Sequence, residues 1–360
     1  MHCLLYERRR NSCGTDCPSN RGVGAMKGYF ISRALVGLLI TILSLVFSAG
    51  AIAAGLSIYV SPSGDDANDG LSATKALVSL QRALDVALAT PEESATSVRI
   101  LVAEGSYLKQ TAATKGLPGG REMQIRPLNN DSPRPQFDGG GNGGTWLTLR
   151  SAAGNPSKIG VYGLEIVNYK TAISLNGNRD DTAKWNGENV IRNNVFKNIG
   201  QIARDGGKPS TAAIRLVNSD RNTIFRNKFI NIRNRERCAL LHAIYVAHDS
   251  TDNVIEENTF EDGCGDAIRF RDASHRNIVR GNRFVDAWDK APVSDWYCES
   301  EKRNDCTKLA GECPSINNVL ENNQVVPRKI KGVPLSLTYG ADAPLQCGKL
   351  GKSDFRFIVK

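Results

Sequence analysis

Arginines, histidines, aspartates and a tyrosine recur at matching places in four short segments. These read Ala172-Ile-Ser-Leu175, Ala213-Ile-Arg-Leu216, Ala243-Ile-Tyr-Val246 and Ala267-Ile-Arg-Phe270. Aligned on their alanines, they set Ser174, Arg215, Tyr245 and Arg269 in one column. Val217, Ala247 and Arg271 form a second column, and Asn218, His248 and Asp272 a third. Ala212, His242 and Asp266 form a fourth, one place before the alanines. If the segments are stacked strands, neighbours in a column lie about 5 Å apart. His248 then lies over Asp272, His242 over Asp266, and Tyr245 between two guanidiniums.

Such a set suits proton transfer beside a carboxylate. A cation must neutralise the carboxylate so that the neighbouring C–H becomes acidic, a base must take the proton, and an acid must protonate the leaving oxygen. Arg215, Arg269 and Arg271 fit the first role, because Arg pairs planar carboxylates bidentately. His248 fits the base. Tyr245 fits acid or base, since flanking positive charge lowers a phenol's pKa. The plainer alternative is a solvated strand face with structural His–Asp hydrogen bonds.

The elements that would carry these columns are visible as a repeat. Asn189-Val-Ile-Arg-Asn-Asn194-Val-Phe196 aligns with Asn222-Thr-Ile-Phe-Arg-Asn227-Lys-Phe229 and Asn253-Val-Ile-Glu-Glu-Asn258-Thr-Phe260. Asn277-Ile-Val-Arg-Gly-Asn282-Arg-Phe284 and Asn318-Val-Leu-Glu-Asn-Asn323-Gln-Val325 complete it. The starts differ by 33, 31, 24 and 41 residues, a short strict core with variable gaps. That is the mark of a solenoid. Two short β-branched runs broken by one Asn cannot be a helical repeat. They read as short strands joined by a bend, at which Asn tolerates a left-handed backbone and can bond the Asn of the next coil. Phe196, Phe229, Phe260 and Phe284 should form an inward aromatic stack. Of 29 asparagines, 22 lie between Asn168 and Asn323, so the excess belongs to the architecture. Upstream, Leu80, Ala83, Leu84, Ala87 and Leu88 follow helical spacing behind Ser79 as N-cap. That helix would cover the open end of the solenoid.

The expected fold is therefore all-β, a single-stranded right-handed parallel β-helix with an N-terminal capping helix. Residues 1–54 are set aside as an upstream extension (1–25) and a signal peptide. The apolar run Ala34–Ala54 follows Lys27 and Arg33 and ends in small residues, so cleavage is expected near Ala53/Ala54, with a secreted or periplasmic product. An uncleaved anchor is the alternative. Residues 55–360 form the β-helix domain, with a cap at 56–110, coils at 111–326 and a tail at 327–360. The net charge of +9 falls to +5 without residues 1–54, which hold six basic and two acidic residues. That is too mild to argue for nucleic acid. Membrane contact is expected only through the signal peptide, and the chain is expected to be a monomer.

Six cysteines remain beyond the leader: Cys238, Cys264, Cys298, Cys306, Cys313 and Cys347. An even number in an exported chain suggests disulfides, and the lack of any C-x-x-C pair speaks against zinc. Cys238 and Cys264, about one coil apart, are expected to bond. One of Cys298, Cys306 and Cys313 should bond Cys347. Gly139, Gly141 and Gly144 satisfy G-x-G-x-x-G, but a strand follows rather than a helix, so a Gly-rich turn is expected. Asp65, Asp66, Asn68 and Asp69 could supply oxygens to Ca2+, although a plain turn fits their composition better. No other metal or cofactor is called for. Trp185, Trp288, Trp296 and Tyr297 fall in long insertions beside the strand face, where they could stack on sugar rings or pack their own loops.

The stretch from Ile58-Tyr-Val-Ser-Pro-Ser-Gly through Ser79-Leu-Gln-Arg-Ala-Leu to Val102-Ala-Glu-Gly-Ser-Tyr resembles the entry of pectate-lyase-like right-handed parallel β-helix proteins. The Asn template resembles their parallel β-helix repeat, and the likeness spans roughly residues 56–326. A closer likeness, to the alginate lyase and chondroitinase B group, rests on Asn258-Thr-Phe260, Arg271 and Arg276-Asn-Ile-Val-Arg-Gly-Asn282-Arg-Phe284. The catalytic Lys of that group has no match, and His248 and Asp249 stand in its place. The resemblance implies an exported polysaccharide lyase acting on an acidic, uronate-containing polysaccharide. His248, Tyr245, Arg269 and Arg271 would be catalytic. Arg215, His242, Asp266, Asp272, Trp288 and Trp296 would bind the substrate. The fold also carries hydrolases, epimerases and non-catalytic glycan binders. A hydrolase would need paired carboxylates, which Asp249, Asp266 and Asp272 could supply.

Overall fold

A computed structural model describes residues 55–151, 156–200, 209–288, 291–298, 311–326, 347–348 and 354–360. The expected signal peptide, Cys306 and most of the tail lie outside them, as does the side chain of Trp288. Among the described residues no helix is long and apolar enough to cross a membrane.

Every named strand pairing is parallel, and most partners lie one coil away. One sheet stacks ten strands, from Leu56–Val60 through Val190–Arg192, Thr223–Phe225, Val254–Glu256 and Ile278–Arg280 to Asn318–Glu321 and Phe357–Val359. A second, of thirteen strands, holds two stacks joined through the long strands Gln136–Arg150 and Glu165–Asn176. One of its stacks runs through Val195–Ile199, Lys228–Ile232, Thr259–Gly263 and Arg283–Trp288. The other runs through Ala212–Val217, His242–Ala247, Ile268–Arg271 and Val293–Trp296. The chain is thus an all-β right-handed parallel β-helix.

The core follows the repeat. Phe196, Phe229, Phe260 and Phe284 stack with ring centroids 5.0, 4.9 and 4.9 Å apart, and all four are buried. Such rings bury large apolar areas and gain a little more from stacking. Ile191, Ile224, Ile255, Val279 and Leu320 pair in register as a second inward column.

The asparagines form two buried ladders. Asn189, Asn222, Asn253, Asn277 and Asn318 are linked amide to amide at 2.7–3.0 Å. Asn194, Asn227, Asn258, Asn282 and Asn323 are linked at 3.0–3.1 Å. Each Oδ1 also accepts a backbone N–H of the coil before it, that of Ile159 or Leu164 for the first member of a ladder and that of the preceding ladder Asn for the rest. Each Nδ2 in the second ladder also donates to a strand carbonyl of the preceding coil. The ladder asparagines do not themselves take the left-handed backbone, as the sequence suggested. The residue before each one does: Glu188, Arg221, Asp252, Arg276 and Asn317 in one row, and Asn193, Arg226, Glu257, Gly281 and Asn322 in the other. A side chain in that region costs about 1 kcal/mol, and the buried amide bonds that follow at once hold the corner. Several corner side chains then pair between coils, as in Arg221–Glu188 and Arg276–Asp252.

The helix Leu80–Ala89 buries Leu80, Ala83, Leu84 and Ala87 and is capped by Ser79, whose Oγ accepts the Arg82 N–H. The acidic loop before it serves its own turn. Asp66 accepts bonds from Val78, Ser79 N–H and Ser79 Oγ, while Asp65 and Asp69 cap Ala67 and Leu71. The glycine-rich stretch is an irregularity inside one strand, between Asp138 and Gly143. At the far end, Phe357–Val359 returns to pair with Asn318–Glu321. The last residues of the expected tail therefore belong to the solenoid. Cys238–Cys264 and Cys313–Cys347 are bonded, and Cys298 is also disulfide-bonded.

Candidate active site

The site columns stand as the alignment placed them. Ser174, Arg215, Tyr245, Arg269 and Ser294 share one outward column of the second sheet. Val217, Ala247, Arg271 and Trp296 share the next. Asn218, His248 and Asp272 follow at the strand ends, where the Asn218 N–H donates to the His248 carbonyl at 2.8 Å.

His248 and Asp272 form a dyad: the ring Nδ1 is 2.7 Å from Asp272 Oδ2. A carboxylate holding Nδ1–H leaves Nε2 as the lone pair of a base. The other Asp272 oxygen accepts the Cys313 N–H at 3.1 Å, so both ends of the carboxylate are fixed. The backbone here is unusual even for this chain. His248 and Asp249 are left-handed in succession (φ 54° and 58°), as are Asp272 and Ala273 (φ 49° and 54°). Paired strain of this kind persists where the surroundings enforce it, and it concentrates at functional sites. Here Ser250 and Ser274 close the corners by donating to the carbonyls of Ala247 and Arg271, both at 2.8 Å.

The three arginines differ from the expectation. Arg271 is claimed by Glu312, with Nε to Oε2 at 2.8 Å and a second nitrogen to Oε1 at 2.6 Å. It also donates to Tyr245 Oη at 2.9 Å and lies 4.6 Å above the Trp296 ring. Arg269 is bonded to the buried Asp266 carboxylate and donates to Ser294 Oγ at 2.6 Å. Arg215 alone of the three is exposed and carries no ion pair among the described residues. The lowered phenol predicted for Tyr245 is therefore corrected. Burial dominates and pushes its pKa up, with Arg271 and Arg269 only partly opposing. The phenol therefore keeps its proton at neutral pH. Burial pulls the Arg271 guanidinium down, but Glu312 and Tyr245 outweigh it and hold Arg271 firmly charged.

His242 and Asp266 do meet, with Nδ1 3.0 Å from the Asp266 carbonyl oxygen. Both are buried, at 4% and 2% exposure, so they support the face from beneath. The His242 ring stacks on Tyr245, with centroids 5.6 Å apart. Trp296 lies in a strand of the sheet rather than in a projecting insertion. Trp185 packs against its own loop, lying over Gly187 and under the Arg221 guanidinium at 4.0 Å. Asp249 is half-buried, and burial and then Asp272 push its carboxyl pKa up.

Two features escaped the sequence reading. Glu312 sits in the 41-residue gap between copies, where no repeat assigns it a place. The second is a row of buried serines, Ser219, Ser250, Ser274 and Ser315, each three residues before a ladder Asn. That signal was present: S-x-x-N extends the template in four copies, with Asn186 in the fifth.

Residues 157–325 match the family described as right handed beta helix region. Match and strand pairing together define a right-handed parallel β-helix fold. Among solved structures it is similar to a rhamnogalacturonan lyase, at 12% identity and TM-score 0.51, covering 75% of this chain and 68% of that one. It is also similar to the pectate lyase Pel9A, at 12% identity and TM-score 0.49, covering 76% and 64%. An alginate lyase from a Paenibacillus species aligns at 13% identity and TM-score 0.40, covering 76% and 95%. At 12% identity the likeness to the rhamnogalacturonan lyase establishes the fold alone. No curated protein matches the sequence.

Proposed function

We propose that this chain is an exported polysaccharide lyase that cleaves a uronate-containing polysaccharide by β-elimination. The observation that carries the proposal is the His248–Asp272 dyad, set beside a protonated Tyr245 on an arginine-bearing strand face. Rhamnogalacturonan lyase, the name of a structure with this fold, accords with it. In the proposed reaction a guanidinium of the face neutralises the uronate carboxylate. His248 Nε2 takes the proton from the carbon that bears it, and the electron pair forms a double bond as the glycosidic oxygen leaves. Tyr245 Oη gives that oxygen its proton. Asp272 holds the His248 tautomer and stabilises the imidazolium that forms.

A second reading, a glycoside hydrolase, is favoured by one observation: Asp249, its pKa raised by burial and by the neighbouring Asp272, forms a carboxyl pair with it on this face. One experiment separates the two. Purified protein is incubated with a panel of anionic polysaccharides and assayed for both unsaturated ends and new reducing ends. Ultraviolet absorbance from unsaturated ends is expected. New reducing ends without double bonds would replace the lyase by the hydrolase, and binding without either would leave a glycan-binding protein.

A further inference from the structure

Glu312 reaches the site from outside the strands that build it, yet its carboxylate is only 3% exposed. Four donors surround it. Two are the Arg271 nitrogens at 2.8 and 2.6 Å. The Cys298 N–H donates to Oε2 at 2.8 Å, and an Arg179 nitrogen lies 3.4 Å from Oε1. Nothing in that set requires the carboxylate to belong to a glutamate. A planar guanidinium with an aromatic ring beneath it suits any carboxylate of the right reach.

The position is also the one a reacting uronate would need. Ligand atoms of His248, Asp272 and Glu312 all lie within 4.8 Å of one another. A carboxylate bonded to the carbon that loses a proton must sit close to the imidazole that takes it, because only two bonds separate its oxygens from that carbon. The same guanidinium touches Tyr245 Oη. A carboxylate held by Arg271 is therefore next to both the base and the acid.

We infer that the Arg271 position is a carboxylate-binding site whose resident occupant is the protein's own Glu312, and that a uronate carboxylate enters by exchanging with it. The inference rests on the uronate reading of this face. The backbone at Glu312 is held on its C-terminal side, where Cys313 is bonded to Cys347 and its N–H to Asp272. Exchange is thus a movement of the Glu312 side chain. A tethered carboxylate competes at high effective concentration, so single sugars bind weakly. A polymer that also engages Arg215 competes far better, and the site prefers chains over monosaccharides.

The test titrates D-glucuronate into the wild type, Glu312→Ala and Glu312→Gln, following the fluorescence of Trp296 under Arg271. Trp296→Phe identifies the signal, and D-glucose serves as the uncharged control. Glu312→Ala is expected to bind glucuronate roughly tenfold tighter or more than the wild type, with glucose unchanged. Should Glu312→Ala fail to fold, the isosteric Glu312→Gln carries the titration. A folded variant with no gain in affinity overturns the inference. Polymer cleavage is assayed on the same samples. A gain in glucuronate binding with no polymer cleaved by any sample keeps this site and removes the lyase reading. Cleavage without the gain does the reverse.

Discussion

Asp272→Asn tests the dyad with almost no change of shape. Asp272 lies between two donors, the Cys313 N–H at 3.1 Å and His248 Nδ1 at 2.7 Å. The backbone N–H can only donate, so an asparagine must turn its oxygen to Cys313. Its NH2 group then faces His248. Two donors cannot share that contact, so the ring moves its own proton to Nε2 and accepts at Nδ1. The base lone pair is thereby removed from the substrate side. In a Ser-His-Asp triad the same swap costs about 10⁴ in rate. A loss of about 10³–10⁴ is expected here, equal to about 4–5.5 kcal/mol of barrier. KM should change little, because the Asp272 side chain is turned toward its two donors. Initial rates of double-bond formation give the loss, and nitrogen-15 NMR of the histidines gives the tautomer independently of activity. A variant within tenfold of the wild-type rate, or a His248 still protonated at Nδ1, would refute the reasoning.

Tyr245→Phe should lower kcat by about 10²–10⁴ with a small change in KM. Because burial raises the phenol's pKa, the wild type should lose no activity to Tyr245 ionisation up to about pH 10, and a falling alkaline limb that vanishes in Tyr245→Phe would contradict that. Asn227→Asp keeps the oxygen that accepts from Asn194 but points a second acceptor at Ile191 O and Asn258 Oδ1, where an amide now donates at 2.8 and 3.0 Å. Losing two buried bonds and burying a charge should cost about 3–5 kcal/mol, read as a shift in the urea midpoint; a cost below about 1 kcal/mol would show the ladder to be ornamental. Asp295, pushed up to about 6 by burial with Arg356 only partly opposing, binds a proton more readily folded than unfolded, so its contribution is present below about pH 4 and lost as pH rises to about 6. His275, pushed down to about 4 by burial, acts oppositely, and stability is lost as pH falls from about 6.5 to about 4. Thermal midpoints of Asp295→Asn and His275→Gln between pH 4 and 7 should therefore diverge from the wild type with slopes of opposite sign.

What the sequence disclosed is what repeats. In a parallel solenoid each residue meets its counterpart one coil away. A column written in the sequence, such as Phe196–Phe229–Phe260–Phe284 or Asn218–His248–Asp272, is therefore already a column in space. What it concealed is what does not repeat. Glu312 comes from an insertion whose length and path no template governs, and it occupies Arg271 with an internal ion pair. Asp266 was legible as the neighbour of His242 but not as the partner of Arg269, because that bond joins residues three apart within one coil and not neighbours between coils. The left-handed positions were misplaced by one residue. Asn is the side chain most tolerant of that backbone, but here its amide is spent on the ladder, and the residue before it bends instead.

Disulfides on only one half of the solenoid give it a mechanical polarity. Coils joined mainly to their neighbours can be peeled from an end one at a time. From the N-terminal side, once the helix lifts, the described coils up to Cys238 carry no covalent clasp to halt the peeling. Cys238–Cys264 then bars the way, and Cys313–Cys347 clasps the opposite end. His248 lies within the first of these loops, and Arg271 and Glu312 lie between the two. A pulling force or a protease working from the N-terminal side would shorten the protein by whole rungs and stall just short of the chemistry. A truncated fragment that keeps the His248–Asp272 dyad and Arg271 but has lost Arg215 is the form in which it would be expected to persist.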